Sequence, residues 1–170
     1  MTRDGAQFGP DITFPVVPRY DWADPETFAG ADVVVLGAPF DGGTSHRPGT
    51  RFGPQYIRQS CYLPHDGSRP SLALRVDALR DLAVHDAGDV EMYSGDAERS
   101  VRALRDAVYA VTAAGAIPLV LGRDHTIAST FVAMTRRGIT GVCAVPVDPA
   151  GQFGVVMPGV LSLFGLLLAS

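Results

Sequence analysis

A chain of 170 residues has room for one domain with a real core and too little for two comfortable ones. Apolar residues make up 46%, charged residues 19%, and the formal net charge is -4, which is the balance of an ordinary globular protein and excludes a disordered one. No basic stripe is present to neutralise phosphates, so nucleic acid is not expected as a partner.

From Met1 to Pro10 there is charge and glycine but no apolar run, so no secretory leader is expected. Pro10, Pro15, Pro18 and Pro25 break up residues 1–30, which read as an irregular arm that wraps a body or reaches a partner subunit. Ala31 to Gly37 is a continuous apolar run bounded by glycines, the mark of a strand buried on both faces of a parallel sheet. The stretch from Ala38 to Pro54 is rich in glycine and proline, with Thr44, Ser45, His46 and Arg47 between them. It is a long loop with more chemistry than a connector needs. A short helix is predicted from Gln55 to Tyr62, opened by Pro54, which suits a first helical turn.

A second strand is predicted from Leu82 to Asp89, leading into an acidic loop. An amphipathic helix follows, with Ser94 as N-cap, Val101, Leu104, Val108 and Val111 as its apolar stripe, and Gly115 closing it. Ile117 to Gly122 reads as a third strand, Thr126 to Arg137 as a third helix and Gly141 to Asp148 as a fourth strand. Strands alternating with helices specify α/β layers around a mostly parallel sheet, with ligands gathering at the carboxyl ends of the strands. From Pro149 to Ser170 there is no charge. As a membrane helix this tail would need about 20 apolar residues, and Gly151, Gly154, Pro158, Gly159 and Gly165 interrupt it. The expectation is a chain cut short or read out of frame after the fourth strand. The organisation expected is one incomplete domain over 1–170: an arm (1–30), an α/β body (31–148) and an atypical apolar tail (149–170).

Asp41, Asp86, Asp89, the pair Asp124 and His125, and Asp148 fall at the predicted carboxyl ends. Carboxylates and an imidazole converging there suit a hard divalent cation such as manganese or magnesium better than a thiolate-bound metal. The bland alternative for each aspartate is a helix cap or a turn. Cys61 and Cys143 lie far apart and outside any metal-binding spacing, so no zinc knuckle or disulfide framework is expected, and a reducing cytoplasm is the expected compartment.

Three segments carry a resemblance. Residues 37–58 read GAPFDGGTSHRPGTRFGPQYIR, residues 85–90 HDAGDV and residues 121–127 LGRDHTI. This string resembles the agmatinase branch of the arginase (ureohydrolase) family, and the similarity covers residues 31 to about 137. The resemblance implies a three-layer α/β/α fold with a mostly parallel sheet, of which only the first half is present. It also implies hydrolysis of a small guanidino compound, agmatine favoured, to urea and an amine. Two Mn(2+) ions would supply a nucleophilic hydroxide, which a resonance-stabilised guanidinium requires, and the acidic ligands would offset the charge of the dications beside a cationic substrate.

Carried over residue by residue, His125 matches a manganese ligand, with Asp124 beside it. Asp148 matches the first residue of a D-x-H-x-D motif. Ala150 stands where the motif has histidine and Gln152 where it has its second carboxylate. Of roughly six protein ligands expected of a two-metal centre, two are therefore assigned. Arg123 replaces a glycine of the motif and sets a positive charge beside the intended cation site. His46 and Arg47 are expected on the substrate side, while Arg51 and Arg58 are expected to pair with acids or partner chains. The resemblance also implies a homo-oligomer. Two readings stay open: an agmatinase-type hydrolase portion inactive by itself, and a non-catalytic remnant or partner subunit.

Overall fold

Val33, Val34 and Val35 are β-branched and stiff at χ1, which suits them to a pleated surface with neighbours on both sides. They open β1 (Val33–Gly37), in a computed structural model that describes residues 13–14, 17–18, 26, 29–44, 48–59, 75, 77–122 and 143–145. β1 pairs in parallel with β2 (Val84–Asp89) on one side and with β3 (Ile117–Leu121) on the other. β3 pairs in parallel with β4 (Cys143–Val145), so the sheet order is β2-β1-β3-β4. An inner strand has both faces covered, and Val34, Val35 and Leu36 are accordingly buried. The α/β class and the parallel sheet expected from the alternation of elements are what the chain adopts.

β1, β2 and β4 begin two residues later than the predicted runs, while β3 begins at Ile117 as expected. At β2, Leu82 is exposed, and Ala83 donates its N–H to Asp32 Oδ2 at 2.8 Å while its carbonyl accepts from Asp32 N and Val33 N at 2.9 and 3.2 Å. A one-turn helix, α2 (Ala78–Asp81), precedes β2, too short to carry a periodic signal in the sequence. Asp77 opens it: its carbonyl accepts from Asp81 N at 2.9 Å and its own N–H donates to Asp81 Oδ2 at 3.3 Å, so the side chain at the end of the turn reaches back to the main chain at its start.

α3 (Ala97–Ala113) connects β2 to β3 and therefore passes over β1, which lies between them. Leu104, Val108 and Val111, spaced by four and three, form its buried stripe and meet Val34, Leu36 and Val120 in one core. Burying one such side chain stabilises the fold by roughly 1.5–3 kcal/mol. The N-cap is Asp96, not Ser94: Asp96 Oδ1 accepts from Arg99 N at 2.9 Å, while Ser94 sits in the preceding turn. The chain makes one more turn, at Ser94 and Gly95, before the helix begins, and this leaves the Asp96 carboxylate, with its favourable interaction with the helix N-terminus, to do the capping. Gly115, at φ 86, ends the helix as expected; its N–H donates to Thr112 O and Ala116 N donates to Val111 O, which closes a Schellman motif.

The predicted helix Thr126–Arg137, most of the arm, the tail from Pro149 onward and the remainder of the fourth strand lie outside the described residues. No helix among the described residues is long and apolar enough to cross a membrane.

Candidate functional site

The carboxyl ends of the strands meet at one edge of the sheet. Ala38 N donates to Leu121 O at 2.7 Å, and Val90 N donates to Gly37 O at 2.8 Å, so β1, β2 and β3 finish side by side. In an open parallel sheet this is where a ligand site is built. Two acidic constellations stand there, and each is organised around an arginine.

The first clasps the loop after β1. Asp41 Oδ2 accepts from Gly49 N at 2.9 Å and from Arg51 Nη1 at 2.7 Å, while its carbonyl accepts from Thr44 Oγ1 at 2.8 Å. Thr50 Oγ1 adds a bond to Phe40 O at 2.9 Å. Gly49 lies at φ 135, a conformation a side chain would resist. The Arg51 guanidinium lies over the Phe52 ring, 4.9 Å from its centroid. Both ends of the segment that carries His46 and Arg47 are thereby pinned to the strand end. His46 and Arg47 themselves lie outside the described residues.

The second joins α1 (Gly53–Gln59) to β2. Arg58 meets Asp86 in the forked geometry, Nε to Oδ2 and Nη2 to Oδ1, each at 2.9 Å. Its Nη1 pairs with Asp89 Oδ1 and its Nη2 also donates to Gly88 O at 3.1 Å. The side chains of Arg58 and Asp86 have 0% exposure. Charges taken this far from water are tolerated only when nearly every donor and acceptor is used, and Asp86 meets that demand: Gly88 N and Phe14 N also donate to it, at 2.9 and 2.8 Å. Burial alone would pull the Arg58 pKa down, but the hydrogen bonds and charges of Asp86 and Asp89 outweigh it and the guanidinium is held more firmly protonated than usual.

A break in strand register makes this possible. Val35 pairs with Asp86 and Gly37 with Asp89, so two steps along β1 match three along β2. In a regular strand, residues three apart point to opposite faces. The extra residue, accommodated by Gly88 at φ 73, turns Asp89 back to the face that Asp86 occupies. Gly37 completes the fit, because a Cβ there would overlap the Asp89 carboxylate and come within 2.9 Å of Arg58 Nη1.

Beyond β2, Tyr93 OH donates to Glu91 Oε2 at 2.8 Å and the Arg99 guanidinium stacks on the ring, 3.6 Å from its centroid. The bond to Glu91 pushes the Tyr93 phenol up, since ionisation would set two negative groups together. His85 Nδ1 and Glu91 Oε1 are buried without a hydrogen-bond partner.

The expectation that Asp41, Asp86 and Asp89 stand ready for a divalent cation is corrected by this arrangement. Arg51 and Arg58 already neutralise them, and a guanidinium in the site repels an added cation. The same contacts bear out the pairing of Arg51 and Arg58 with acids. Among the described residues no group of three His, Cys, Asp or Glu side chains could hold a metal ion, so those residues do not by themselves fit a manganese pair. Asp124, His125 and Asp148 lie outside the described residues; in sequence they follow the ends of β3 (Leu121) and β4 (Val145). What sequence reasoning missed is that Arg58 gathers both Asp86 and Asp89 into one buried cluster, although a D-x-G-D segment, with a glycine between two acids of one strand, was the available signal of a bulge.

Comparison with known proteins agrees with the motifs. The model of the arginase family matches residues 31–149. Human mitochondrial guanidino acid hydrolase is 40% identical over 103 residues, covering 58% of this chain and 27% of the relative. The mitochondrial agmatinase of Gallus gallus is 39% identical over 98 residues, covering 58% of this chain and 28% of its own. Among solved structures, Trypanosoma cruzi formiminoglutamase with Mn2+ superposes with a TM-score of 0.51 at 31% identity, over 63% of this chain and 35% of that one. The chain thus spans between about a quarter and about a third of the length of these proteins. With the family match running from the start of the strand-bearing body to just past Asp148, and with a parallel sheet under the matching segments, the chain belongs to the arginase family.

Proposed function

We propose that this chain is a portion of an agmatinase-type ureohydrolase, a hydrolase that splits a small guanidino compound into urea and an amine, and that by itself it does not turn over. The observation that carries the first half is the run of matching segments at the strand ends: 37–58 after β1 and 121–127 at the end of β3, both inside the family match. Agmatine is the favoured substrate of this reading, because the segment 37–58 resembles the agmatinase branch. Manganese is the metal of this reading; a manganese-containing formiminoglutamase is among the structural relatives. His125 and Asp148 are its proposed ligands, Asp124 supports His125, and His46 and Arg47 face the substrate.

The second half rests on charge and ligand count. With Ala150 and Gln152 where donors belong, and with Arg123 beside His125, the donor set is too small for two dications. The same observation favours the competing reading, a non-catalytic partner subunit that keeps the half-sheet for association with a homo-oligomer. A cytoplasmic location and the absence of a nucleic-acid or membrane partner belong to both readings.

Urea release from agmatine and from guanidinobutyrate, with MnCl2 added, tests the proposal together with metal stoichiometry by elemental analysis of the purified chain. No urea and fewer than two manganese per chain is the expected result. Two bound manganese with turnover would refute the inactivity of the chain. In that event His125→Ala and Asp148→Asn should each abolish activity, and unchanged rates in both would discard them as ligands.

A further inference from the structure

The Arg58–Asp86 pair is fully buried, and some of what touches it lies outside the sheet and helices. Asp86 is on β2, an outer strand among the described residues, and its N–H donates away from β1 to Pro18 O at 3.0 Å. Phe14 N donates to Asp86 Oδ2 at 2.8 Å, and the Phe14 ring lies 6.0 Å from the Arg58 guanidinium carbon. One residue of β2 therefore receives the N-terminal segment three ways: through its main-chain N–H, through its carboxylate, and through an aromatic face presented to its cationic partner. These contacts are long-range: Phe14 and Asp86 are 72 apart in sequence.

We propose that Phe14 and Pro18 act as a strap that seals the buried Arg58–Asp86 pair from water, so that their release and loosening of the α1–β2 junction are one event. A carboxylate and a guanidinium lose most of their mutual attraction once water enters, because the effective dielectric rises between them. The strap supplies a donor to the carboxylate and an apolar cover to the guanidinium in a single docking, and it satisfies an outer-strand N–H that would otherwise be open. Docking is thus favoured by the pair, and the pair is kept buried by the docking. The device is separate from any turnover and does not depend on the ureohydrolase reading.

Amide hydrogen exchange by NMR on the full chain tests it. Three reporters sit in the device: Phe14 N–H, Asp86 N–H and Gly88 N–H, the last bonded to Asp86 Oδ1. Leu104 and Val108 in α3 report the distant core. Phe14→Ala keeps the N–H at position 14 and removes only the ring; it should speed exchange at Asp86 and Gly88 by about tenfold while Leu104 and Val108 stay unchanged. Deleting residues 1–18 should speed the same two amides further. Unchanged exchange at Gly88 in Phe14→Ala overturns the seal, as does an equal acceleration in α3, which would make the effect global. If the deletion variant does not fold, Phe14→Ala decides the matter by itself.

Discussion

Replacing Arg58 by methionine keeps an unbranched chain of similar reach and removes four polar contacts at once: two to Asp86, one to Asp89 and one to Gly88 O. The side chains left behind are nearly inaccessible, with 0% exposure for Asp86 and 8% for Asp89. Removing one partner of a buried pair costs roughly 3–5 kcal/mol, because the other charge stays in place without compensation. Asp86 keeps two amide donors, Phe14 N and Gly88 N, and this places the expected loss near the lower end, about 3–4 kcal/mol. Against a total stability of about 5–15 kcal/mol that is a large fraction. Urea unfolding followed by circular dichroism at 222 nm reads it as a lower midpoint at constant slope. Arg58→Met combined with Asp86→Asn should recover part of the loss, since the stranded charge is then gone. A loss below about 1 kcal/mol in the single variant, the range of a solvated surface pair, would refute the claim that the pair is buried and fully engaged.

Gly37→Ala sets a methyl against the Asp89 carboxylate and should destabilise by about 1–3 kcal/mol in the same assay; adding Asp89→Ala should relieve the overlap, so that the two changes are clearly non-additive. Asp96→Ala deletes the cap that accepts from Arg99 N and should cost about 1 kcal/mol, whereas Ser94→Ala should leave the urea midpoint in place. Tyr93 titrates above an ordinary tyrosine because of its bond to Glu91. A folded-state value above the unfolded one means that the contribution of the neutral phenol is complete below the ordinary tyrosine pKa and is lost as pH rises through the raised value. The difference in absorbance at 295 nm between the parent chain and Tyr93→Phe isolates that titration, and Glu91→Gln should move its midpoint down; a midpoint indifferent to Glu91→Gln would contradict the assignment.

Local patterns made much of the fold legible. The run Val33 to Leu36 is a strand wherever it is placed among apolar neighbours, and the spacing of Leu104, Val108 and Val111 together with Gly115 marks a helix and its end. Boundaries were less legible, since Ser94 and Asp96 are both good caps and only the path of the chain out of β2 selects between them. The family was legible because its motifs are contiguous segments at strand ends. The aspartates at those ends were not: a carboxylate reads the same in sequence whether it awaits a cation or already holds a guanidinium.

The order of strands and helices, their parallel α/β class and the family follow from residues near one another in the chain, because periodicity, capping and turn chemistry act over a few residues. The partners of Asp86 were decided by the tertiary structure alone. Arg58 reaches it across 28 residues and Phe14 across 72, and both meet it only after β1 and β2 have paired with the register break at Gly88 that brings Asp89 to the same face. Electrostatic pairing depends on distance in space and on exclusion of water, and neither quantity exists until the layers have packed.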